Sequence, residues 1–169
     1  VAGQAASGDV RQAFHRYFLQ HLQWRTPGKR WVLKAPSHLL ALEGLLKVYP
    51  DAGIILTQRD PLKVLPSCAS FTEVLRGAFT DHVDKVSLAQ EVRQRWEEGA
   101  GLAVQYHRMP GNLQKQLFDV RYADLVREPL AMVRRIYEFF DLELTPAAEA
   151  AMQRFLQANP KNKDGVHRY

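Results

Sequence analysis

The stretch Gly53-Ile54-Ile55-Leu56-Thr57-Gln58-Arg59-Asp60-Pro61 decides how this chain folds. Ile54 to Thr57 form a short run without polar alternation, which predicts a strand buried on both faces, the habit of parallel sheets. Asp60 offers a side-chain oxygen to the first turn of a helix, and Pro61 suits that helix's first position. The strand therefore passes directly into a helix. Upstream, Trp31-Val32-Leu33 is a second apolar run, ending at Lys34, and predicts a buried strand. Pro36 to Tyr49 predicts a helix with Leu39, Leu42, Leu45, Leu46 and Tyr49 on one side, stopped by Pro50. Downstream, Leu117 to Arg121 predicts a third strand.

The remaining segments read as helices. Val10, Phe14, Tyr17, Phe18 and Leu22 recur at helical spacing from about Asp9 to Trp24, and Thr26-Pro27-Gly28 ends that helix. Ser87 with Gln90 resembles a capping box ahead of a helix from about Leu88 to Arg108. Pro129 opens a helix carrying Val133, Ile136, Tyr137 and Phe140, and Thr145-Pro146 opens another that ends near Asn159-Pro160. Pro66, inside the helix after Arg59, is expected to bend it. Trp24, Trp31, Trp96 and the Phe139-Phe140 pair fall at core spacing. Three strands separated by helices predict an α/β fold, a parallel sheet covered by helices on both faces. Ligands of such folds bind at the carboxyl ends of the strands. That rule directs attention to Lys34–His38, Thr57–Ser67 and Arg121–Asp124.

Composition narrows the function. At 169 residues, 46% hydrophobic and 24% charged, the chain has the make-up of one globular domain, not of a disordered segment. Its one cysteine, Cys68, rules out an intrachain disulfide. No CxxC or Cys/His cluster provides a structural zinc site, and no metal is expected. No apolar run approaches the roughly 18 residues of a membrane span, and Val1 to Asp9 lacks the basic and apolar regions of a signal peptide. The net charge of +5 is dispersed, with no block of like charges, so nucleic acid is not expected as a partner. A nucleotide or phosphate needs only two or three well-placed cations.

Such cations stand where the strands end. Arg59 leaves a strand, and its guanidinium can grip a phosphate with two parallel hydrogen bonds. Ser67 lies six residues beyond Pro61, about 9 Å along the helix axis at ~1.5 Å per residue, so the two can hold one phosphate from two sides. Singly, Arg59 would pair with a carboxylate and Ser67 would be an ordinary helix serine; their combination favours a site. Lys34, a point charge at a strand terminus, suits stabilisation of charge on a transferred group or its leaving oxygen; its alternative is a surface lysine. His38 is a candidate general base, with an ordinary pKa of ~6.5, or else it caps or packs the next helix. The Tyr122 ring can stack on a base or sit half-buried in the core. The basic tail, with Lys161, Lys163, Gly165, His167 and Arg168, can close over a phosphate or stay solvated.

Together these segments resemble the PAPS-dependent sulfotransferases, in particular the bacterial-type sulfotransferase domain related to protein-tyrosine sulfotransferases. The stretches that carry the resemblance are WVLKAPSHLLALEGLLKVYPDAGIILTQRDPLKVLPS (31–67), FDVRYADLVREPLAMVRRIYEFFDLEL (118–144) and KDGVHRY (163–169). The resemblance implies a P-loop-NTPase-like three-layer α/β/α fold with a short parallel sheet. It implies transfer of a sulfuryl group from 3′-phosphoadenosine 5′-phosphosulfate (PAPS) to an acceptor hydroxyl or amine, leaving 3′-phosphoadenosine 5′-phosphate (PAP). Arg59 and Ser67 fall on the family's 3′-phosphate ligands, Lys34 on the lysine at the transferring sulfuryl group, and Tyr122 on an adenine-side residue. Lys163 and Gly165 stand where a late phosphate-closing loop is expected, though its Arg-Lys-Gly form is absent. His38 lies near the catalytic histidine of cytosolic members, with Lys-x-x-x-His here in place of Lys-x-His; a base upstream, a glutamate in tyrosine-sulfating relatives, is the alternative.

The family's first strand and its glycine-rich 5′-phosphosulfate loop have no match in the chain. The expectation is a single domain over 1–169, the carboxyl part of a sulfotransferase, inactive alone for want of that loop. A sheet lacking its first strand leaves an edge open to homo-oligomer pairing. Cytoplasmic location is expected, or the Golgi lumen for a eukaryotic source. The competing readings are a non-catalytic nucleotide-binding or protein-interaction module, and a P-loop kinase remnant that would need magnesium and ATP.

Overall fold

The computed structural model describes residues 13–109, 113–160 and 163. They fall into two compact units, one of Val1–Ala52 with Glu98–Met109 and the other of Gly53–Glu97 with Pro110–Tyr169.

In the first unit, residues 13–22 are helical (α1). Residues 31–35 are irregular and lead into a 3-10 helix, Pro36–Ala41, continued by α2, Leu42–Val48. The later part of α4, Lys85–Arg108, belongs to this unit as well. Its core is Leu19, Leu42, Leu45 and Tyr106. The Tyr106 hydroxyl meets the backbone of Leu42 and Glu43, which satisfies a buried polar group. Gly99 packs near Leu39, where a β-carbon would lie 3.4 Å from Cδ2, an ordinary van der Waals distance.

The second unit holds the sheet. Strands β1, Ile54–Gln58, and β2, Leu117–Arg121, pair in parallel, with Ile54 opposite Leu117 and Gln58 opposite Arg121. Between them run α3, Pro61–Gly77, the start of α4, and the short α5, Leu113–Gln116. Asp60 caps α3 by accepting from the Leu62 N–H at 3.0 Å, and Pro61 fills the first position. After β2 come α6, Tyr122–Arg127, α7, Pro129–Phe139, and α8, Pro146–Ala158, the last capped by Thr145 Oγ1 on Ala148 N. Val120, 1% exposed, and Met132 anchor β2 and α7; a fully buried side chain of this size contributes about 1.5–3 kcal/mol. Phe118, Phe139 and Phe140 form an aromatic cluster with centroids 4.9–6.5 Å apart. Gly53 has no room for a side chain, because a β-carbon would come within 2.7 Å of the Phe140 ring. α7 ends in a Schellman turn: Asp141 at φ 50°, its N–H on Glu138 O, and the Leu142 N–H on Tyr137 O at 2.8 Å.

The parallel α/β class read from the sequence is present, and both Ile54–Gln58 and Leu117–Arg121 are strands. The third strand is not. Trp31-Val32-Leu33 is irregular and pairs with no strand among the described residues, and Val32 is 92% exposed. A strand exists only where a neighbour takes up its N–H and C=O groups, and three apolar residues do not announce a neighbour. β1 is also less covered than expected, with Ile55 47% exposed.

Several core assignments fail in the same way. Trp24 is 82% exposed, Trp31, Trp96 and Phe139 are exposed too, and Phe14, Tyr17, Phe18 and Leu22 of α1 face outward while Leu19 is buried. Helical spacing marks an apolar stripe but not what covers it. The capping box is displaced as well. Asp84, not Ser87, caps α4, its carboxylate accepting from the N–H groups of Val86 and Ser87 and from the Ser87 hydroxyl at 2.6 Å. Asp makes as good a cap as Ser. Pro66 leaves α3 unbroken.

Candidate functional site

The parallel register assembles one group of residues. Gln58 and Arg121 are the last paired residues of β1 and β2, and Gln58 Nε2 donates to Asp119 Oδ1 across the sheet at 2.7 Å. The next residues, Arg59 and Tyr122, therefore leave neighbouring strands side by side at the carboxyl edge. The Arg59 guanidinium carbon lies 4.5 Å from the centroid of the Tyr122 ring. Such a contact at an exposed site contributes roughly 0.5–1 kcal/mol. It does not consume the guanidinium's N–H donors, which remain available to an anion. Among the described residues Arg59 makes no ion pair, so the carboxylate partner considered for it is not there. The sequence put Arg59 with Ser67 and left Tyr122 separate; the register joins Arg59 to Tyr122, across 63 positions of chain.

Ser67 is half-buried on α3 and has hydrogen-bonding or electrostatic company of its own. It lies on the same helical face as Asp60 and Lys63, by the i, i+3, i+4, i+7 rule. Lys63 is exposed there. The sequence reading passed over this second cation, although the spacing to Ser67 was visible. Lys163 donates from Nζ to Asn159 Oδ1 at 3.2 Å, and from its backbone to Pro160 O, which ties it to the end of α8. Gly165 lies outside the described residues, as does the rest of the basic tail.

Lys34 and His38 belong to the other unit. Lys34 is exposed on the irregular segment 31–35. Ala35 is extended, Pro36 opens the 3-10 helix, and the His38 N–H donates to Ala35 O at 3.1 Å. His38 is half-buried, with the His15 ring edge-on to it and centroids 6.1 Å apart. Burial, and then the neighbouring His15, hold its imidazole below the usual histidine range. His15 Nδ1 in turn lies 3.0 Å from the Tyr49 hydroxyl. Nothing in the sequence marks this grouping: His15 lies off the apolar stripe of the first helix and has no metal-ligand spacing to another histidine.

Cys68 is half-buried beside Ser67. Among the described residues no group of three His, Cys, Asp or Glu side chains is placed to hold a metal, and no helix is long and apolar enough to cross a membrane.

Comparison with known proteins places the chain in a family. The model of the Sulfotransferase family matches residues 3–146, and the chain belongs to that family. It is 29% identical over 133 residues to the omega-hydroxy-beta-dihydromenaquinone-9 sulfotransferase Stf3 of Mycobacterium bovis and of Mycobacterium tuberculosis, covering 74% of this chain and 32% of each relative. The chain thus spans about a third of the length of those curated relatives. The crystal structure of sulfotransferase STF9 from Mycobacterium avium superposes with a TM-score of 0.82 at 29% identity, over 94% of this chain and 40% of that one. STF1 from Mycobacterium tuberculosis H37Rv gives 0.63 at 31% identity, over 75% of this chain and 34% of that one. The P-loop-like α/β fold and the bacterial type of sulfotransferase domain, both expected from the sequence, stand on these findings.

Proposed function

We propose that this chain supplies the 3′-phosphate anchor and the charge-stabilising lysine of an enzyme that moves a sulfuryl group from PAPS to an acceptor hydroxyl. The observation that carries this reading is the exposed Arg59 guanidinium resting on Tyr122 at the carboxyl edge of the sheet. Family membership supports sulfuryl transfer as the chemistry.

In this reading Arg59 and Ser67 hold the 3′-phosphate, and Lys63 adds positive charge on the same helix face. Tyr122 keeps the guanidinium in place and borders the adenine. Lys34 neutralises charge that gathers on the oxygen bridging sulfur and the 5′-phosphate as that bond breaks. His38 takes the proton of the acceptor hydroxyl while its oxygen bonds to sulfur. The products are the sulfate ester and PAP, with the proton left on the imidazole. A hydroxyl is favoured over an amine by the Stf3 relatives, whose name gives an omega-hydroxy compound as substrate.

Calorimetric titration of the intact enzyme with PAP and with ATP tests the anchor. PAP is expected to bind, and ATP, which has no 3′-phosphate, is expected to bind far more weakly. Equal affinities would overturn the assignment of Arg59 and Ser67. Turnover that depended on magnesium and ATP would overturn the sulfuryl-transfer reading, and PAP binding without sulfuryl transfer would identify a nucleotide-binding module.

A further inference from the structure

The cluster of His15, His38 and Tyr49 has a chemistry of its own. Three half-buried side chains from α1, the 3-10 helix and the end of α2 meet in one unit. The His15 ring stands edge-on to both others, 6.1 Å from His38 at 69° and 6.0 Å from Tyr49 at 84°, between centroids. Its Nδ1 is 3.0 Å from the Tyr49 oxygen.

That oxygen suits either state of His15. A neutral ring accepts the tyrosyl O–H at Nδ1, and a protonated ring donates its Nδ1–H to the tyrosyl oxygen. Among the described residues His38 makes no side-chain hydrogen bond, and the His15 ring stands beside it. Two imidazolium ions at this separation, partly shielded from water, oppose one another. A charge on the His15 ring therefore discourages a proton on His38. Among the described residues, the charged groups on the neighbouring elements include Arg16 on α1, which acts on Tyr49, and Glu43 on α2, which acts on Tyr106. Lys34 stands four residues before His38 in the chain.

We propose that His15, steadied by Tyr49, is a positioning residue for His38, and that the two histidines act as a pair in which the His15 ring, edge-on to His38, opposes a proton there. His38 then stays unprotonated and able to accept a proton down to lower pH than an isolated histidine. Burial of the His38 ring works in the same direction. The role given to the pair in catalysis rests on the reading of His38 as the base.

The test is carried out on the intact enzyme. Carbon-13-labelled histidines are titrated by NMR, with the His38 signal assigned from H38Q, and kcat/KM is measured against pH. Replacement His15→Gln is expected to raise the titration midpoint of His38 by roughly half a pH unit or more, and to move the acid limb of the rate profile by the same amount. Tyr49→Phe keeps the ring and its packing but removes the oxygen. It leaves the His15 ring without its hydrogen-bond partner, so that the ring is held less firmly against His38, and shifts His38 in the same direction by less. A His38 midpoint unchanged in both variants overturns the pair. A midpoint that moves while the acid limb stays put confirms the pair and removes His38 from the base's role.

Discussion

The two units put their candidate residues in place by different means. In the sheet-bearing unit, Arg59 and Tyr122 follow directly on paired strands, and the register of Gln58 with Arg121 leaves little freedom in where they start. In the other unit, Lys34 sits on an irregular segment and His38 on a 3-10 helix, with no strand ladder to fix them. His38 is held by side-chain neighbours, His15 above all, and by the N–H bond to Ala35. Regular backbone suits anchoring of a nucleotide, which needs a fixed distance between cations. A side-chain pocket suits proton transfer, which needs a tuned environment. The proposed functions divide along the same line, with anchoring in one unit and chemistry in the other.

The sharpest way to break this division is Lys34→Ala in the intact enzyme. Turnover should fall by roughly 100-fold or more, the usual cost of losing one preorganised donor to developing charge, with little change in PAP affinity. A comparable loss in affinity would place Lys34 in the anchor. The mirror experiment is Arg59→Ala. A charged hydrogen-bonding partner contributes about 1.5–3 kcal/mol, so the PAP dissociation constant should rise about 10- to 100-fold by calorimetry. An unchanged constant would remove Arg59 from the site.

Gly53→Ala probes the scaffold under the anchor. The new methyl collides with Phe140, and overpacking of this kind costs about 1–3 kcal/mol. Chemical denaturation should show that loss, while the histidine titrations of the other unit stay as they were. Asp141→Gly should do the reverse. Glycine enters the left-handed region freely, so the Schellman turn after α7 should gain about 0.5–1 kcal/mol, seen as a raised Tm. The smallest effect concerns Asp84. Its hydrogen bonds from Ser87 and Val86 hold the carboxyl below its usual range. The folded pKa is below the unfolded one, so the cap stabilises above an unfolded value of ~3.9 and is lost as pH falls through the folded value. The Tm difference between wild type and Asp84→Ala should therefore shrink in strong acid; a difference constant with pH would mean that the carboxylate's charge contributes nothing.

How far these regions could be read from sequence also differs. Ile54-Ile55-Leu56-Thr57 before Asp60-Pro61 declared a strand, a cap and a helix start, because each residue type has a local reason to be there. Thr145-Pro146 and Leu117 to Arg121 were legible on the same ground. Arg59, Ser67 and Lys34 could be picked out by charge, spacing and family likeness. Trp31-Val32-Leu33 misled, because an apolar triplet says nothing about a partner strand. The outward-facing α1 side chains misled because periodicity describes one helix and not its neighbours. Asp84 was overlooked in favour of Ser87, since either residue caps well and three positions separate them.

By itself, then, the sequence determined the parallel α/β class, the strand-to-helix passage at Arg59-Asp60-Pro61, and Arg59 and Lys34 as candidate cations. These follow from interactions within a few residues, which chain order alone specifies. Only the tertiary structure decided that Tyr122 supports Arg59 and that His15 stands against both His38 and Tyr49. Those contacts join residues tens of positions apart, and they arise from strand register and helix packing, which depend on how distant surfaces fit together.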